Sequence, residues 1–318
     1  MNSKIIHNRF LEEITKHIPE KVKRSNILAD ILSIEKEAVY RRLRGEVPFT
    51  FHEIAVISNK LNISIDNITG ITSEKSRPFQ LKLTDYVNSF DIDYKMIEEY
   101  IDVLDTTKDE NSEIIEATNL MPQSIAYKSD LLGKFYIFKW HYHYNQFDQT
   151  FENFELSKRL ITLMNRISSA SKKCYKTIYI WDPLLIQYLI NDIHFVYRMH
   201  LISKANLDIL KHELHGIINY IEQIAQKGAF TETNKEVNIY ISSVNLDTSY
   251  TYIGSPKHQL SMIKAFILSG IASFDKKTIE KTKNWIQSLK RTSTQISICG
   301  EKQRISFVDK QRKLIDEL

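Results

Sequence analysis

The stretch "EKEAVYRRLRGEVPF", residues 35–49, brings Arg41, Arg42 and Arg44 together on about two turns of helix and follows them with Gly45 and Pro48. Its periodicity predicts a short helix over residues 35–44, with Gly45 suited to the left-handed position after the last turn. On that helix Ala38, Val39 and Leu43 form an apolar stripe, while Glu37, Tyr40, Arg41 and Arg44, at i, i+3, i+4 and i+7, fall on the opposite face. A helix with one dry side and one cationic, hydrogen-bonding side is either a solvated surface element or a device for meeting a polyanion. The neighbouring residues decide between the two.

Upstream, Ile5, Ile6, Phe10, Leu11 and Ile14 recur at helical spacing over residues 4–17, which predicts a first amphipathic helix ending near Pro19. A basic connection, Lys21, Lys23 and Arg24, leads to Ser25, a residue fit for the N-cap of a second helix whose Leu28, Ala29 and Leu32 face inward. Ser33 and Ile34 make the turn into the third helix. Downstream, Thr50 and Glu53 have the spacing of a capping box, and Ile54, Ile57 and Leu61 form the apolar face of a fourth helix. "NISIDNITGI", residues 62–71, supplies a final turn.

In this order of elements, residues 1–71 resemble the helix-turn-helix domain of Cro and phage-repressor type transcription factors. The resemblance is carried by Leu28 and Ala29, the turn at Ser33 and Ile34, the segment 35–45, Thr50, Ile54 and "LNIS" at 61–64. It departs from the family at Ser33, where glycine is common, and at Val39 and Leu43, spaced by four where three is commoner. The resemblance implies that the third helix enters the major groove of double-stranded DNA. By position it makes Lys36, Glu37 and Arg41 contacts to base edges with Tyr40 and Arg44 beside them, and Ser25 and Asn26 phosphate contacts at the start of the second helix. The chemistry agrees, because an arginine fork matches O6 and N7 of guanine and a good bidentate pair discriminates by roughly 1–3 kcal/mol. Arg42, toward the edge of the helix, is expected to join Lys23 and Arg24 on phosphates, where it would set affinity rather than sequence.

The remainder is larger and of a different kind. "TSEKSRPFQ", residues 72–80, is polar and contains Pro78, so it is read as a linker between a DNA-binding domain, 1–71, and a dimerisation and sensor domain, 81–318. Lys plus Arg against Asp plus Glu number 13 and 10 over residues 1–80, 19 and 24 over 81–275, and 11 and 5 over 276–318, so the positive ends are where a polyanion would be met. With 42% hydrophobic and 26% charged residues the chain is neither disordered nor fibrous in class. Cys174 and Cys299 are too few for a disulfide framework or a zinc site, and no window reaches the roughly 18 apolar residues of a membrane helix. The N-terminal residues lack the uninterrupted apolar run of a signal peptide, so a cytoplasmic protein without a membrane partner is expected.

Within 81–318, helical patterns cover roughly 92–105, 149–170, 183–226, 258–292 and 301–317, and strand-like runs cover 135–144, 177–181, 236–244, 249–254 and 294–299. The fold class expected is therefore α+β, mostly α: an N-terminal helix-turn-helix domain of four to five helices followed by a larger, helix-rich mixed domain. Leu207, Leu210, Leu214, Ile217, Ile221 and Ile224 make a short heptad seam, which reads either as a dimerisation helix or as an ordinary core helix. "FYIFKWHYHY", 135–144, taken as a strand, would put Tyr136, Phe138, Trp140, Tyr142 and Tyr144 on one face, as core or as the wall of a ligand pocket. His212 and His215 could hold a metal only with a third ligand that the sequence does not nominate. "WDP" at 181–183 reads as a helix start, with Asp182 as N-cap and Pro183 at the first helical position. Lys290, Arg291, Lys302 and Arg304 crowd the tail, as solvated surface or as a contact for DNA flanks or an anionic ligand.

No phosphate-binding glycine loop, nucleophile elbow or metal-protease helix is present, and no cofactor or enzymatic activity is expected. The function expected is that of a sequence-specific, homodimeric transcriptional regulator, repressor-like and bacterial in type, whose larger domain answers to a small-molecule or protein effector. The alternative is an interaction adaptor or antitoxin-like partner whose DNA contact serves autoregulation.

Overall fold

In the computed structural model, which describes residues 3–61, 63, 65–69, 79–82, 90–144, 149–265 and 270–318, the chain divides into two units, Met1–Pro78 and Phe79–Leu318. The predicted linker residues 72–78 lie outside the described residues, whereas Gln80 already belongs to a strand.

The first unit is helical: α1 (Ser3–His17), α2 (Lys21–Leu32), α3 (Lys36–Leu43), α4 (Phe51–Leu61) and α5 (Ile65–Thr69). Phe10 and Ile14 of α1, Leu28 of α2, Val39 of α3 and Ile57 of α4 are fully buried together, and the Phe49 ring meets Phe10 edge to face at 5.4 Å. Arg24 closes α1 by donating to the carbonyls of Ile18 at 2.8 Å and Pro19 at 2.9 Å, which replaces its expected place on phosphates. Helix α2 starts at Lys21, earlier than the sequence reading placed it, so Ser25 is an interior residue of the helix and not its cap. Ser33 then ends α2 in the left-handed region, at φ 53° and ψ 43°. Helix α3 ends with Gly45 at φ +76°, where the Gly45 N–H donates to the Arg42 carbonyl at 3.0 Å and the Glu46 N–H to the Arg41 carbonyl at 2.9 Å. Thr50 and Glu53 form the expected capping box at the start of α4, with reciprocal hydrogen bonds of 2.8 and 3.2 Å.

The second unit is built on an eight-stranded sheet of order β1-β7-β6-β5-β2-β3-β4-β8. Three central strands, β2 (Glu113–Thr118), β3 (Lys176–Trp181) and β4 (Glu236–Ile241), run parallel. The wing of β5 (Tyr250–Gly254), β6 (Gln259–Lys264), β7 (Gly270–Ser273) and β1 (Gln80–Lys82) is antiparallel, as is the short edge strand β8 (Thr294–Gln295). Side chains alternate along each strand. Ile114, Tyr179, Trp181, Val237 and Ile239 enter the large core shared with α6 (Asp91–Asp105), α7 (Gln123–Ala126), α8 (Asp130–Tyr144), α9 (Lys158–Lys172), α10 (Leu185–Arg198), α11 (Lys204–Lys227) and α13 (Glu301–Asp316). Ile115, Ala117, Ile178 and Ile180 face the other way and pack with Ile279, Ile286 and Leu289 of α12 (Lys276–Thr292). The fold is α+β with helices in the majority.

Several elements differ from the sequence reading. Residues 135–144 lie in helix α8, not in a strand. Phe135, Tyr136, Ile137, Phe138 and Trp140 are all buried, so the helix has no polar stripe over that stretch, and its chance alternation of aromatics imitates a strand. The side chains of His143 and Tyr144 lie outside the described residues. The pattern over 149–170 starts as a helix only at Lys158, after Ser157 accepts the Leu160 N–H at 3.1 Å, and 183–226 is two helices separated at 199–203. The run 258–292 is β6, β7 and then α12. β2 carries no plain strand pattern in the sequence, because Glu113 and Glu116 interrupt its apolar residues. In "WDP", Asp182 is fully buried and caps no helix: its carboxylate accepts the backbone N–H of Leu184 at 2.7 Å and of Leu246 at 2.5 Å. All six residues of the heptad seam are buried in the core of this unit, so that face of α11 is an internal one.

Two measurements follow from this architecture. Ser33→Gly should stabilise the helical unit by about 1 kcal/mol in chemical denaturation, since a non-glycine residue at positive φ is held there against its preference. The Glu116 carboxyl, pushed up to about 7 by burial with Lys264 acting in the opposite direction, favours folding while protonated; that contribution is full below about pH 4.5 and disappears as pH rises through 7. Glu116→Gln should therefore match the parent protein at pH 5 and exceed its stability by about 2 kcal/mol at pH 8.5, and equal pH dependence in both would contradict the assignment.

Candidate nucleic-acid interface

Helix α3 is anchored on its dry side by Val39, which is fully buried, with Leu43 packed against the same core. The two arginines that follow one another in sequence, Arg41 and Arg42, are about 100° apart around the helix and meet different surroundings. Arg42 turns inward. Its guanidinium engages both oxygens of Glu53, at 2.7 and 3.1 Å, and donates a further bond of 3.0 Å to the Ala38 carbonyl; its side chain is 17% exposed and that of Glu53 12%. Arg42 is thus a fastener between α3 and α4, not the phosphate contact the sequence suggested. Burial raises the Glu53 carboxyl, but the hydrogen bonds from Arg42 and Thr50 outweigh it and hold the group below its ordinary range.

Arg41 and Arg44 face outward, each side chain 56% exposed. Both are partnered by Glu46, just beyond the end of the helix: Arg44 Nε at 2.8 Å and Arg41 Nε at 3.8 Å. Arg44 also reaches Glu37 at 3.3 Å, and these two glutamates, Glu46 first, raise its pKa above the ordinary arginine value. Lys36 is exposed at the start of the same helix. Glu37, Arg41 and Arg44 are therefore brought together on one accessible face, with Lys36 exposed separately at the start of the helix.

Tyr40 is half-buried, and its hydroxyl lies 3.1 Å from Ser25 Oγ, which is also 3.0 Å from the Val22 carbonyl. Ser25 is 1% exposed, so it is a packing contact between α2 and α3 and is not presented to a phosphate. Asn26, next to it in α2, is partly exposed. Lys23 is exposed and pairs with Glu20 at 2.8 Å. The residues that the sequence reading missed are Glu46 and, as a partner for Arg42, Glu53. Their signal in the sequence is the set of acids interleaved with the arginines, Glu37, Glu46 and Glu53.

Other groups singled out in the sequence have structural roles. Arg304 is buried and donates to the Ile296 carbonyl at 2.9 Å, which removes it from the basic surface of the tail. His215 meets Asp316 at 3.0 Å, and the described residues contain no group of three or more His, Cys, Asp or Glu placed to hold a metal. No helix among the described residues is long and apolar enough to cross a membrane.

The chain matches one family model, described as the BetR domain, over residues 1–118. This is a helix-turn-helix-containing regulatory domain, and the match runs past the helical unit through α6 and β2. At family level the similarity supports a DNA-binding regulatory role, without being specific to the Cro and phage-repressor type. Neither a curated protein nor a solved structure matches the chain.

The opposite fates of the adjacent arginines can be measured. Arg42→Ala should destabilise the helical unit by about 2 kcal/mol, less than a fully buried pair would because some solvent reaches it, while Arg41→Ala should change stability by less than about 0.5 kcal/mol. Equal losses in thermal denaturation would remove the distinction.

Proposed function

We propose that the chain is a sequence-specific transcriptional regulator whose helix α3 reads the major groove of double-stranded DNA. The observation that carries this reading is the pair of exposed arginines, Arg41 and Arg44, on one face of a helix whose other side is fastened to α2 and α4, with Lys36 exposed at its start. Lys36, Glu37 and Arg41 face base edges, Arg44 lies beside them, and Asn26 is left to meet a phosphate. Tyr40 supports the helix through Ser25. The protein acts as a homodimer, because a single short recognition helix reads too few bases, and two copies address half-sites about 34–36 Å apart. Residues 79–318 supply the dimer contact and receive an effector. No catalytic step belongs to this function.

The reading predicts a particular part for Glu46. While it holds both arginines, a phosphate or base must displace it, so weak sites are disfavoured more than strong ones. Selection from a random duplex pool by the full-length protein should enrich a roughly palindromic motif. The Arg41→Ala/Arg44→Ala variant should lose that motif, with affinity for it falling by roughly 10- to 100-fold or more, in line with about 1–3 kcal/mol for each bidentate contact. Glu46→Gln should tighten binding to random DNA at low salt and narrow the gap between specific and random sequences. Equal, salt-sensitive binding to every sequence by the parent and the double variant would reduce the contact to plain electrostatics and defeat the proposal.

A further inference from the structure

Within the larger unit a cavity of about 550 Å³ opens among α8, α9, α11 and the segment before α9, a size within the range of small-molecule sites. Its walls are mainly apolar: Leu131, Phe154, Leu156, Ile161, Met164 and Ile209. Ile209 is 49% exposed, an apolar side chain that an occupant of the cavity would cover.

Two cations border this apolar space, Lys134 and Lys158, and neither has an ion-pair partner among the described residues. The Lys134 ammonium lies 4.6 Å above the Phe151 ring, and burial pulls it below the usual lysine range although Glu152 and Glu155 act in the opposite direction. The nearby acids are largely engaged elsewhere. Glu213 accepts the Ser129 hydroxyl, and Glu152 accepts the Ser203 N–H at 2.7 Å and the Asn206 amide at 2.8 Å. Asp130 is in the first turn of α8, where backbone N–H groups favour a negative charge, and Glu155 is exposed. A half-buried ammonium without a directly bonded carboxylate, beside an unfilled apolar wall, is complementary to a molecule that brings both an anion and apolar surface.

We propose that this cavity binds an amphipathic monoanion, a carboxylate or sulfonate carried on a compact apolar body, with Lys134 meeting the anion. The site would be the place of effector reception in the function proposed above, and its regulatory meaning rests on that reading. Its occupancy does not, because the test contains no DNA.

Full-length protein is titrated with 1-anilinonaphthalene-8-sulfonate, and the bound dye is then challenged with octanoate, octanol and octylammonium. The expected result is one saturable site from which octanoate displaces the dye and octylammonium does not. Lys134→Gln should weaken octanoate at least tenfold and leave octanol unchanged, whereas Lys134→Arg should keep octanoate competition. Ile161→Trp, which fills the cavity, should abolish dye binding. Ile209→Asp, at a half-exposed position that does not disturb the core, should weaken it and serves if Ile161→Trp fails to fold. Dye binding that never saturates or survives both wall variants overturns the site. Octylammonium competing as well as octanoate, or octanoate indifferent to Lys134→Gln, overturns the charge assignment. Operator selection fails or succeeds independently of all these outcomes, so loss of one reading is distinguishable from loss of the other.

Discussion

The contact between the Arg42 guanidinium and the Glu53 carboxylate governs the geometry of the helical unit. One carboxylate does two things: it accepts the Thr50 N–H that starts α4 and it holds the arginine near the end of α3. The end of one helix and the beginning of the next are therefore fixed by the same group, and the left-handed turn at Gly45 carries the chain between them. With Val39 buried on the inner side, α3 has no freedom to roll, and the outward directions of Lys36, Arg41 and Arg44 are consequences of that constraint. The role proposed for α3 needs this rigidity, because sequence discrimination depends on donor forks held at fixed positions.

The larger unit solves a different problem by related means. Its parallel strands are buried on both faces, so β3 must be apolar at nearly every position, and Ile178 and Ile180 serve one core while Tyr179 and Trp181 serve the other. Long helices pack on one face, and their ends are tied through polar knots. Glu232 is the clearest, accepting from Lys128 at 2.9 Å, Lys172 at 3.1 Å and Tyr220 at 2.8 Å. Burial of Glu232 works against its charge, but these donors dominate and hold its carboxyl far below the ordinary range. The knot joins the loop after α7, the end of α9, α11 and the loop before β4, which are far apart in sequence.

What could be read from sequence follows from range of interaction. Short-range rules located α1, α3, α4 and α13, the capping box at Thr50 and Glu53, and the left-handed Gly45, because each depends on residues within a turn or two. The strand at 177–181 was legible from its β-branched and aromatic run. What failed depended on distant partners. Nothing near residues 135–144 announces that a helix there will be enclosed on all sides, and without a polar stripe the 3.6-residue period leaves no trace. The seam of α11 was legible as apolar, but whether it faces a second chain or its own core is decided by what packs on it, above all α13 at the far end of the chain. At the candidate interface the arginines were legible and their assignments were not. Arg42 differs from Arg41 by one position in sequence but by an inward or outward direction in space, and the Glu53 that receives it lies on another helix.

Acids can crowd a surface that, on the proposed reading, meets DNA. Exposed pairs such as Arg44 with Glu46 are weak, since water and salt already screen them. A charge-assisted bond to a phosphate or base in a dehydrated groove is stronger, about 1.5–3 kcal/mol, so the glutamates do not prevent binding. A site that offers acceptors to both arginines at once displaces the glutamates, whereas a random duplex leaves them in place and meets their negative charge as repulsion. A random duplex offers phosphates but not that arrangement of base edges. On the reading proposed above, Glu37 and Glu46 make the outward arginines poor general phosphate binders and selective base readers, whereas Arg42, held by a half-dry bidentate pair, is withdrawn from the surface and keeps the other two in place.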